Sequence, residues 1–268
     1  DVLAGLKRYT AEHDLRLQQL TSPTGHEPML RALAHAGSLG IDGVLVLPYF
    51  MEEYVNVINR LADSGVAVAT LSELPGTHCS SICSDDYNGA FAAVNRLIGK
   101  YNRPVHFFGP RGEASSTLDR YNAYCRAMTE AGFDREIKTH TSEIQAYGKD
   151  PESWTLEDKQ ERTAELAEAF LKKLKPPASI FCINDYMAQG IYRAAKRLRL
   201  EIGRDLTVTG FDDLPMARRL TPPLTSVRSP QGEVGYQAAA LLHRLVAGEL
   251  NIPVHLRVPM EVIERASC

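Results

Sequence analysis

Short apolar runs alternate with longer amphipathic segments along most of this chain, and this alternation limits the possible folds more than any other feature of the sequence. Residues 42–48 and 66–71 are apolar runs of the kind found in strands buried on both faces of a parallel sheet. Residues 52–62, between them, have the apolar spacing of a helix. Strands that alternate with helices predict parallel sheets covered by helices, because each parallel strand needs a crossover connection.

The same alternation continues to the end of the chain. Helices are predicted over residues 1–13, 28–36, 52–62, 89–98, 118–131, 159–174, 188–198 and 233–246. Strands are predicted over residues 15–20, 42–48, 66–71, 105–108, 137–140, 179–183, 207–210, 225–227 and 254–258. About ten strands in this order favour two doubly wound parallel sheets over one long sheet, so the predicted class is α/β with two lobes.

Three crossings between the lobes are expected. The N-terminal lobe is predicted to comprise residues 1–84 and 229–258, and the C-terminal lobe residues 85–228 and 259–268. The first crossing lies at a break in the pattern, and the chain must return because the last helix and strand need a sheet to join. A polar stretch with glycine and proline, residues 145–158, is predicted to be an irregular surface loop.

Charge and cysteine content narrow the functional classes. The 30 Lys and Arg residues nearly balance the 33 Asp and Glu residues, and the sequence has no basic run. This segment itself is therefore not expected to bind DNA. Five scattered cysteines, an odd number in a chain of this size, favour a reducing cytoplasm. No apolar run approaches the roughly 20 residues that span a bilayer, and the first residues do not resemble a signal peptide. The chain starts with Asp1 rather than Met, so further residues are expected upstream.

Motifs for catalysis and metal binding are not recognised. The chain has no glycine-rich dinucleotide turn, no phosphate-binding loop and no nucleophile elbow. Its eight histidines lack metal-ligand spacing, and Cys79 and Cys83 have no second pair. The neighbouring carboxylates of residues 85–86 and 212–213 are expected to point apart rather than to share a proton. We therefore expect no catalytic residue, no cofactor and no metal.

Polar residues follow three predicted strands at the edge where open α/β sheets hold ligands. Asn184 follows residues 179–183, Asp212 follows residues 207–210, and Arg120 lies beyond residues 105–108. An amide can pair with two hydroxyl groups, a carboxylate accepts from adjacent hydroxyls, and a guanidinium offers a rigid fork of donors. Together these groups predict a polar lining suited to a polyhydroxylated ligand.

Structural roles compete for the same residues. Asp185 is a suitable N-cap for the helix that follows, and Asp213 could cap a helix or contact solvent. Ser116 could cap the helix that contains Arg120, and Arg120 itself could be a surface charge. For Asn184, ligand binding and a structural role are equally compatible with the sequence.

An ordered set of motifs resembles the lac-repressor and galactose-repressor family of transcription regulators over essentially the whole chain. In family order, the motifs are Asp42-Gly43-Val44-Leu45-Val46, Gly89-Ala90, Asn184-Asp185-x-x-Ala188-x-Gly190, Gly210-Phe211-Asp212-Asp213, Thr221-Pro222-Pro223-Leu224-Thr225-Ser226-Val227, and Val258 to Ser267. The resemblance implies a core similar to periplasmic sugar-binding proteins, with two lobes joined by three crossover strands. It also implies that the first strand of this core precedes Asp1.

The resemblance implies an effector cleft between the lobes. The candidate ligand-binding residues are Arg120, Asn184, Asp212, Ser116, Ser72, Tyr49 and Trp154. Ser72 stands where many relatives carry Asp, which argues against a simple transfer of effector identity. Trp154 could stack on a sugar face or pack on its own loop. The sequence leaves a pentose, a hexose, a sugar phosphate, a sugar acid and a purine open.

The implied function is that of the effector-binding and dimerisation domain of a regulator, most simply a repressor, in the cytoplasm. An effector that binds both lobes would shift the closed population and so change how a homodimer fits operator DNA through an upstream DNA-binding head. The chief alternative is a periplasmic sugar-binding protein of a transport system. A hydrolase that uses Asp212 and Asp213 has little support, because no nucleophile and base are paired.

Overall fold

The computed structural model describes residues 1–19, 26–48, 51–111, 115–142, 144, 155–250 and 253–268. It separates into two compact units, Asp1–Asp85 with Pro230–Pro259 and Asp86–Ser229 with Met260–Cys268. The chain passes between them three times, and each boundary lies one residue after the position expected from the sequence. No helix in this described part of the chain is both long enough and apolar enough to cross a membrane.

The first unit is built on a four-stranded parallel sheet of order β1-β2-β3-β8. Its strands are β1 (Gly43–Val46), β2 (Ala67–Thr70), β3 (Ser80–Ser84) and β8 (His255–Val258), and its helices are α1 (Val2–Glu12), α2 (His26–His35), α3 (Glu52–Asp63) and α9 (Gln231–Val246). Helix α3 buries Tyr54, Val57, Ile58 and Leu61, which recur at helical spacing on one face. These buried residues form the apolar face that the sequence pattern predicted for the helix over residues 52–62.

The second unit is built on a five-stranded sheet of order β4-β5-β6-β7-β9. Its strands are β4 (Val105–Phe108), β5 (Ala178–Cys182), β6 (Leu206–Asp212), β7 (Thr225–Arg228) and β9 (Glu261–Ile263), and its helices are α4 (Asp86–Tyr101), α5 (Ser115–Glu130), α6 (Ile137–His140), α7 (Leu156–Leu171) and α8 (Asp185–Arg197). Among these five described strands, β9 alone runs antiparallel, against β7. Every residue of β5 is buried, as expected for a central strand covered on both faces. The predicted α/β class with two parallel-sheet lobes is confirmed.

Two predicted strands are wrong. Residues 15–19 form no strand, and Leu15 and Leu17 are exposed. Alternation does not make a strand without a hydrogen-bonded neighbour, and no described strand lies along this segment. Residues 137–140 form the single helical turn α6, in which the His140 N–H donates to the Glu136 carbonyl. Pairing with β4 begins only afterwards, at Thr141.

His106 on β4 carries a half-buried imidazole. Its ring stacks on that of His140 with the centroids 4.0 Å apart, and its Nδ1 has no hydrogen-bond partner among the described residues. Burial first, and then the nearby His140 and Arg103, lowers the pKa of His106 to about 3. The folded protein therefore holds this histidine in its neutral form far into the acid range.

The stability of the second unit is expected to fall as the pH drops below about 6.5. The unfolded chain takes up a proton there, whereas folded His106 stays neutral, so acid favours the unfolded state. From pH 7 to pH 5 this linkage costs about 2 kcal/mol. His106→Phe should remove that part of the pH dependence of urea unfolding, whereas replacement of the exposed His35 by Gln should not. An equally steep acid loss in His106→Phe would contradict the linkage.

Candidate functional site

The carboxyl ends of β4, β5 and β6 bring the predicted site residues of the second unit to one edge of the sheet. The strands are parallel and in register, with Phe108 opposite Cys182 and Phe181 opposite Thr209. Asn184 follows β5 after one intervening residue, and Asp212 is the last residue of β6. Helix α5, which follows β4, carries Arg120 towards them.

Arg120 is the centre of this edge. Its Nε donates to Asp86 Oδ1 at 2.7 Å, its Nη1 to the Ile183 carbonyl at 2.7 Å, and its Nη2 to Asp212 Oδ1 at 3.1 Å. The guanidinium carbon lies 3.8 Å from the centroid of the Phe211 ring, a cation–π distance. Contacts at three nitrogens and one face leave the guanidinium plane little freedom.

Both carboxylates that bind Arg120 are shielded from solvent, Asp86 more so than Asp212. The side chains are 9% and 29% exposed, and that of Arg120 is 14% exposed. Burial raises the pKa of Asp86, and the positive charge and hydrogen bond of Arg120 oppose that rise. Asp86 therefore depends on Arg120 to stay charged at a position shielded from solvent.

A left-handed turn sets Asp212 in place. Asp212 has a φ of 96° and Asp213 a φ of 49°, values that few residues other than glycine adopt without a local reason. The reason is the Asp213 side chain, which is 1% exposed and accepts from Arg265 Nη2 at 2.5 Å and from Arg228 Nε at 2.9 Å. Asp213 thus anchors the turn, rather than capping a helix or contacting solvent.

The roles of Asn184 and Asp185 differ from the simplest expectation. Asn184 is the N-cap of α8, because its Oδ1 accepts from the Met187 N–H at 2.9 Å. The prediction that Asp185 caps this helix is wrong. Asp185 is fully buried and accepts from the Leu214 N–H at 2.7 Å and from Ser226 Oγ at 2.6 Å. Burial raises its pKa to about 7, against those two hydrogen bonds.

Gly210, two residues before Asp212, leaves no room for a side chain. A Cβ there would lie 2.2 Å from Asp185 Oδ1 and 2.8 Å from a methyl carbon of Leu224. Gly210→Ala is therefore expected to lower the free energy of unfolding by about 1–3 kcal/mol, as overpacking does. Gly99→Ala is the matched control, since a Cβ at Gly99 meets nothing within 4 Å and Ala favours a helix by up to about 1 kcal/mol. Urea unfolding measures both, and similar stabilities would contradict the close packing at Gly210.

The remaining predicted residues are more dispersed. Ser116 lies in the first turn of α5, four residues before Arg120, and is half-buried. Ser72 belongs to the first unit, where its Oγ is buried and has no hydrogen-bond partner in the part of the chain that is described. Tyr49 and Trp154 lie outside the described residues. Direct contact therefore joins Arg120 and Asp212, with Asn184 next to the carbonyl that Arg120 binds.

Two residues of this arrangement were missed by reasoning from the sequence. Asp86 was considered only as half of an acidic pair, and Phe211 only as part of a motif. A carboxylate directly after the predicted domain crossing, three residues before the helix predicted over residues 89–98, was the available signal for Asp86. Nothing in the sequence alone indicated that Phe211 would lie under the guanidinium. Within the described ranges, no group of three or more His, Cys, Asp or Glu residues is placed to hold a metal ion.

Comparison with known proteins identifies the family. The family model described as "Periplasmic binding protein-like domain" matches residues 94–268, well over half of the chain. The chain belongs to this family. The two units, each built on a mainly parallel sheet, agree with this family assignment.

Relatives of this periplasmic binding protein-like chain include transcription regulators. The HTH-type transcriptional repressor PurR of Escherichia coli O1:K1 is 25% identical over 237 residues, which cover 85% of this chain and 63% of the repressor. This chain thus spans less than two thirds of the repressor's length. The resemblance to lac-repressor-type regulators is confirmed by the family match together with this similarity to a repressor.

Two solved structures have the same fold. A regulatory protein of the LacI family from Chloroflexus aggregans superimposes with a TM-score of 0.84 at 24% identity, over 99% of this chain and 90% of that one. The complex of the transcriptional regulator CelR with cellobiose superimposes with a TM-score of 0.82 at 22% identity, over 100% of this chain and 78% of that one. At these identities the likeness establishes the fold.

Proposed function

We propose that this chain is the effector-binding domain of a lac-repressor-type transcription regulator, and that its effector is a small polar molecule, a sugar. The observation that carries the proposal is the contact between Arg120 and Asp212 at the carboxyl edge of the second sheet. Ligands of open α/β sheets bind at that edge. The edge thus carries a fixed cation and a partly exposed carboxylate side by side.

The chemistry of this edge matches hydroxyl groups. A hydroxyl both donates and accepts, so one hydroxyl can accept from the guanidinium while another donates to the carboxylate. Asn184 keeps its Nδ2 free of partners among the described residues, because the cap uses only its Oδ1. Ser116 adds a hydroxyl one helical turn from Arg120. These four side chains supply donors and acceptors within one small region of the second unit.

Residues elsewhere extend the proposal. Ser72 supports it because a buried hydroxyl without a described partner is rare and is satisfied by a ligand or by water. Tyr49 and Trp154 remain proposed contacts on the strength of the sequence. The CelR structure with cellobiose supports a sugar as effector, since that regulator shares this fold and is named with a sugar bound.

The output of sensing is proposed to be altered binding of operator DNA through a separate DNA-binding domain. The similar PurR protein is an HTH-type repressor, and this chain corresponds to 63% of it. The five cysteines form no disulfide, which supports a reducing compartment, the cytoplasm. A periplasmic transport component shares the fold but has less support, because the similar curated protein is a repressor. A binding role without catalysis is part of the proposal.

A homodimer is proposed as the assembly, since regulators of this type pair their domains to match two operator half-sites. The monomer of 268 residues has a mass of 29.6 kDa. Sedimentation equilibrium at micromolar concentration should give twice this mass. A monomer at the highest soluble concentration would remove this part of the proposal.

Ligand screening tests the proposed function. A ligand that binds only the folded state raises its melting temperature, by an amount set by concentration and affinity. Free pentoses, hexoses and disaccharides, cellobiose included, should be screened against the chain beside purine bases as a second chemical class. A dose-dependent shift with a sugar, lost in Asp212→Ala, is expected. A rise in melting temperature with purines alone would show that the effector is a purine and not a sugar. No rise with any compound would contradict effector sensing.

A further inference from the structure

The charges in direct contact with Arg120 are unbalanced. One positive charge is bound here by two carboxylates, with Nε 2.7 Å from Asp86 and Nη2 3.1 Å from Asp212. The neighbouring Asp213 does not add to the imbalance, because it is bound by Arg265 and by Arg228, which also pairs with Glu261. Arg120 with its two direct partners therefore carries a net negative charge, although it contains the arginine that an anion would need.

The hydrogen-bonding groups left over at this edge are also of mixed type. Three of the five N–H groups of Arg120 are used, by Asp86, the Ile183 carbonyl and Asp212, so two N–H groups remain. The second oxygen of Asp212 receives no hydrogen bond from any described residue. A ligand must therefore satisfy two donors and at least one charged acceptor together.

We propose that the effector is an uncharged polyol, a free sugar, and that this edge rejects sugar phosphates and sugar acids. This inference rests on the proposed function. Hydroxyl groups accept from Arg120 and donate to Asp212, which satisfies both. A phosphate or carboxylate group placed at this edge only accepts, so it cannot pair with the free oxygen of Asp212 and it brings two like charges side by side. The Asp86 side chain is only 9% exposed, so solvent screens the charge of this second carboxylate weakly.

Arg120 differs from an arginine that binds phosphate in the groups with which it already pairs. An arginine that recognises a phosphate offers its bidentate N–H edge with the charge uncompensated. In this chain the Nη2 and Nε atoms face carboxylates, and the plane is fixed over Phe211. Opening that edge to an anion would require Asp86 to lose its partner while it stays buried, which is costly. Specificity by rejection thus follows from the same contacts that hold Arg120.

Isothermal titration of the whole chain with matched ligand pairs tests the inference. Each free pentose, hexose and disaccharide of the screen is paired with its phosphorylated or acid form, for example glucose with glucose 6-phosphate and gluconate. The free sugar that binds should bind at least about a hundredfold more tightly than its charged counterparts. Equal or tighter binding of a charged form would overturn the inference and leave sugar sensing intact. Binding of no sugar in either form would overturn the proposed function and the inference with it.

A pair of charge-matched variants assigns the effect to Asp86. Asp86→Asn keeps an oxygen that can accept from Arg120 Nε and removes one negative charge. The preference for the free sugar over its phosphate should fall roughly tenfold, as expected for a unit charge a few ångströms from the ligand. Glu165→Gln removes the same charge from an exposed position on α7 and should leave the preference unchanged. An unaltered preference in a folded Asp86→Asn would overturn the charge argument.

Salt dependence of the unmodified chain provides a test that needs no variant. Raising NaCl from about 50 to 500 mM screens charges, so weak binding of the phosphorylated sugar should strengthen if the edge repels it. Binding that weakens with salt would reveal an attractive positive site and would contradict the inference.

Discussion

Arg120→Ala is expected to lower the free energy of unfolding by about 3–5 kcal/mol and to weaken sugar binding at least about a hundredfold. The substitution leaves the carboxylate of Asp86 buried without its cation and the Ile183 carbonyl without its donor. Both groups would lose a hydrogen-bond partner without gaining one from solvent, because they are shielded from water. Urea unfolding and isothermal titration with the sugar found by screening measure the two effects.

The stability deficit of Arg120→Ala should also depend on pH. Burial raises the pKa of Asp86, and Arg120 opposes that rise in the unaltered protein. Without Arg120, the folded variant binds a proton at Asp86 at a pH where the unfolded chain does not, so acid stabilises the folded form. The deficit should therefore be smaller at pH 5 than at pH 8. A deficit that grows in acid would contradict the burial of Asp86.

Two further variants of α5 control for loss of a cation and loss of shape. Arg126 lies on the same helix, its side chain is 58% exposed, and it pairs with Glu130 one turn away, so Arg126→Ala should change stability little. Arg120→Lys should be intermediate, since an ammonium group cannot reach three acceptors in one plane. If Arg120→Ala were as stable as Arg126→Ala, the contacts of Arg120 would not hold this edge together.

The fold was predictable where hydrophobic periodicity alone decides the structure. Helix α3 and strand β5 are read from their own residues, because each buries a continuous apolar face. Strand β3 was missed because three of its five residues are serines. It is buried through side-chain hydrogen bonds, from the Val254 N–H to Ser80 Oγ and between Ser81 Oγ and His255, which only the tertiary structure reveals.

The candidate site was predictable to the extent that strand ends converge at one edge. That rule placed Arg120 and Asp212 on the same edge, and they are in direct contact. It could not decide between Asn184 and Asp185 as the helix cap, since both residue types are good N-caps. The choice is made by Ser226 and the Leu214 N–H, which hold the Asp185 carboxylate from segments distant in sequence. Partners of that kind lie beyond any local pattern.

Asp213→Ala is expected to lower the free energy of unfolding by about 3–5 kcal/mol, although Asp213 is not proposed to touch the effector. Its carboxylate is 1% exposed and joins Arg228 of β7 to Arg265, which follows β9. Removing it leaves Arg265, whose side chain is 12% exposed, without its anion. The turn that sets Asp212 loses its anchor, so sugar binding should weaken as well, as measured by isothermal titration.

Asp213→Asn separates the charge from the backbone in this turn. Asn tolerates the left-handed φ of 49° at least as well as Asp, and it keeps one oxygen for an arginine. If the ion pairs dominate, Asp213→Asn should lose most of the stability that Asp213→Ala loses; if backbone conformation dominates, it should lose almost none. Glu264→Gln is the control. Glu264 precedes Arg265 in the sequence and forms an exposed ion pair with Arg96, so the loss of its charge should have little effect on stability. We expect the first outcome, since two arginines share a carboxylate that is almost completely buried. An Asp213→Asn variant as stable as Glu264→Gln would show that the turn, and with it the position of Asp212, is held by the backbone alone.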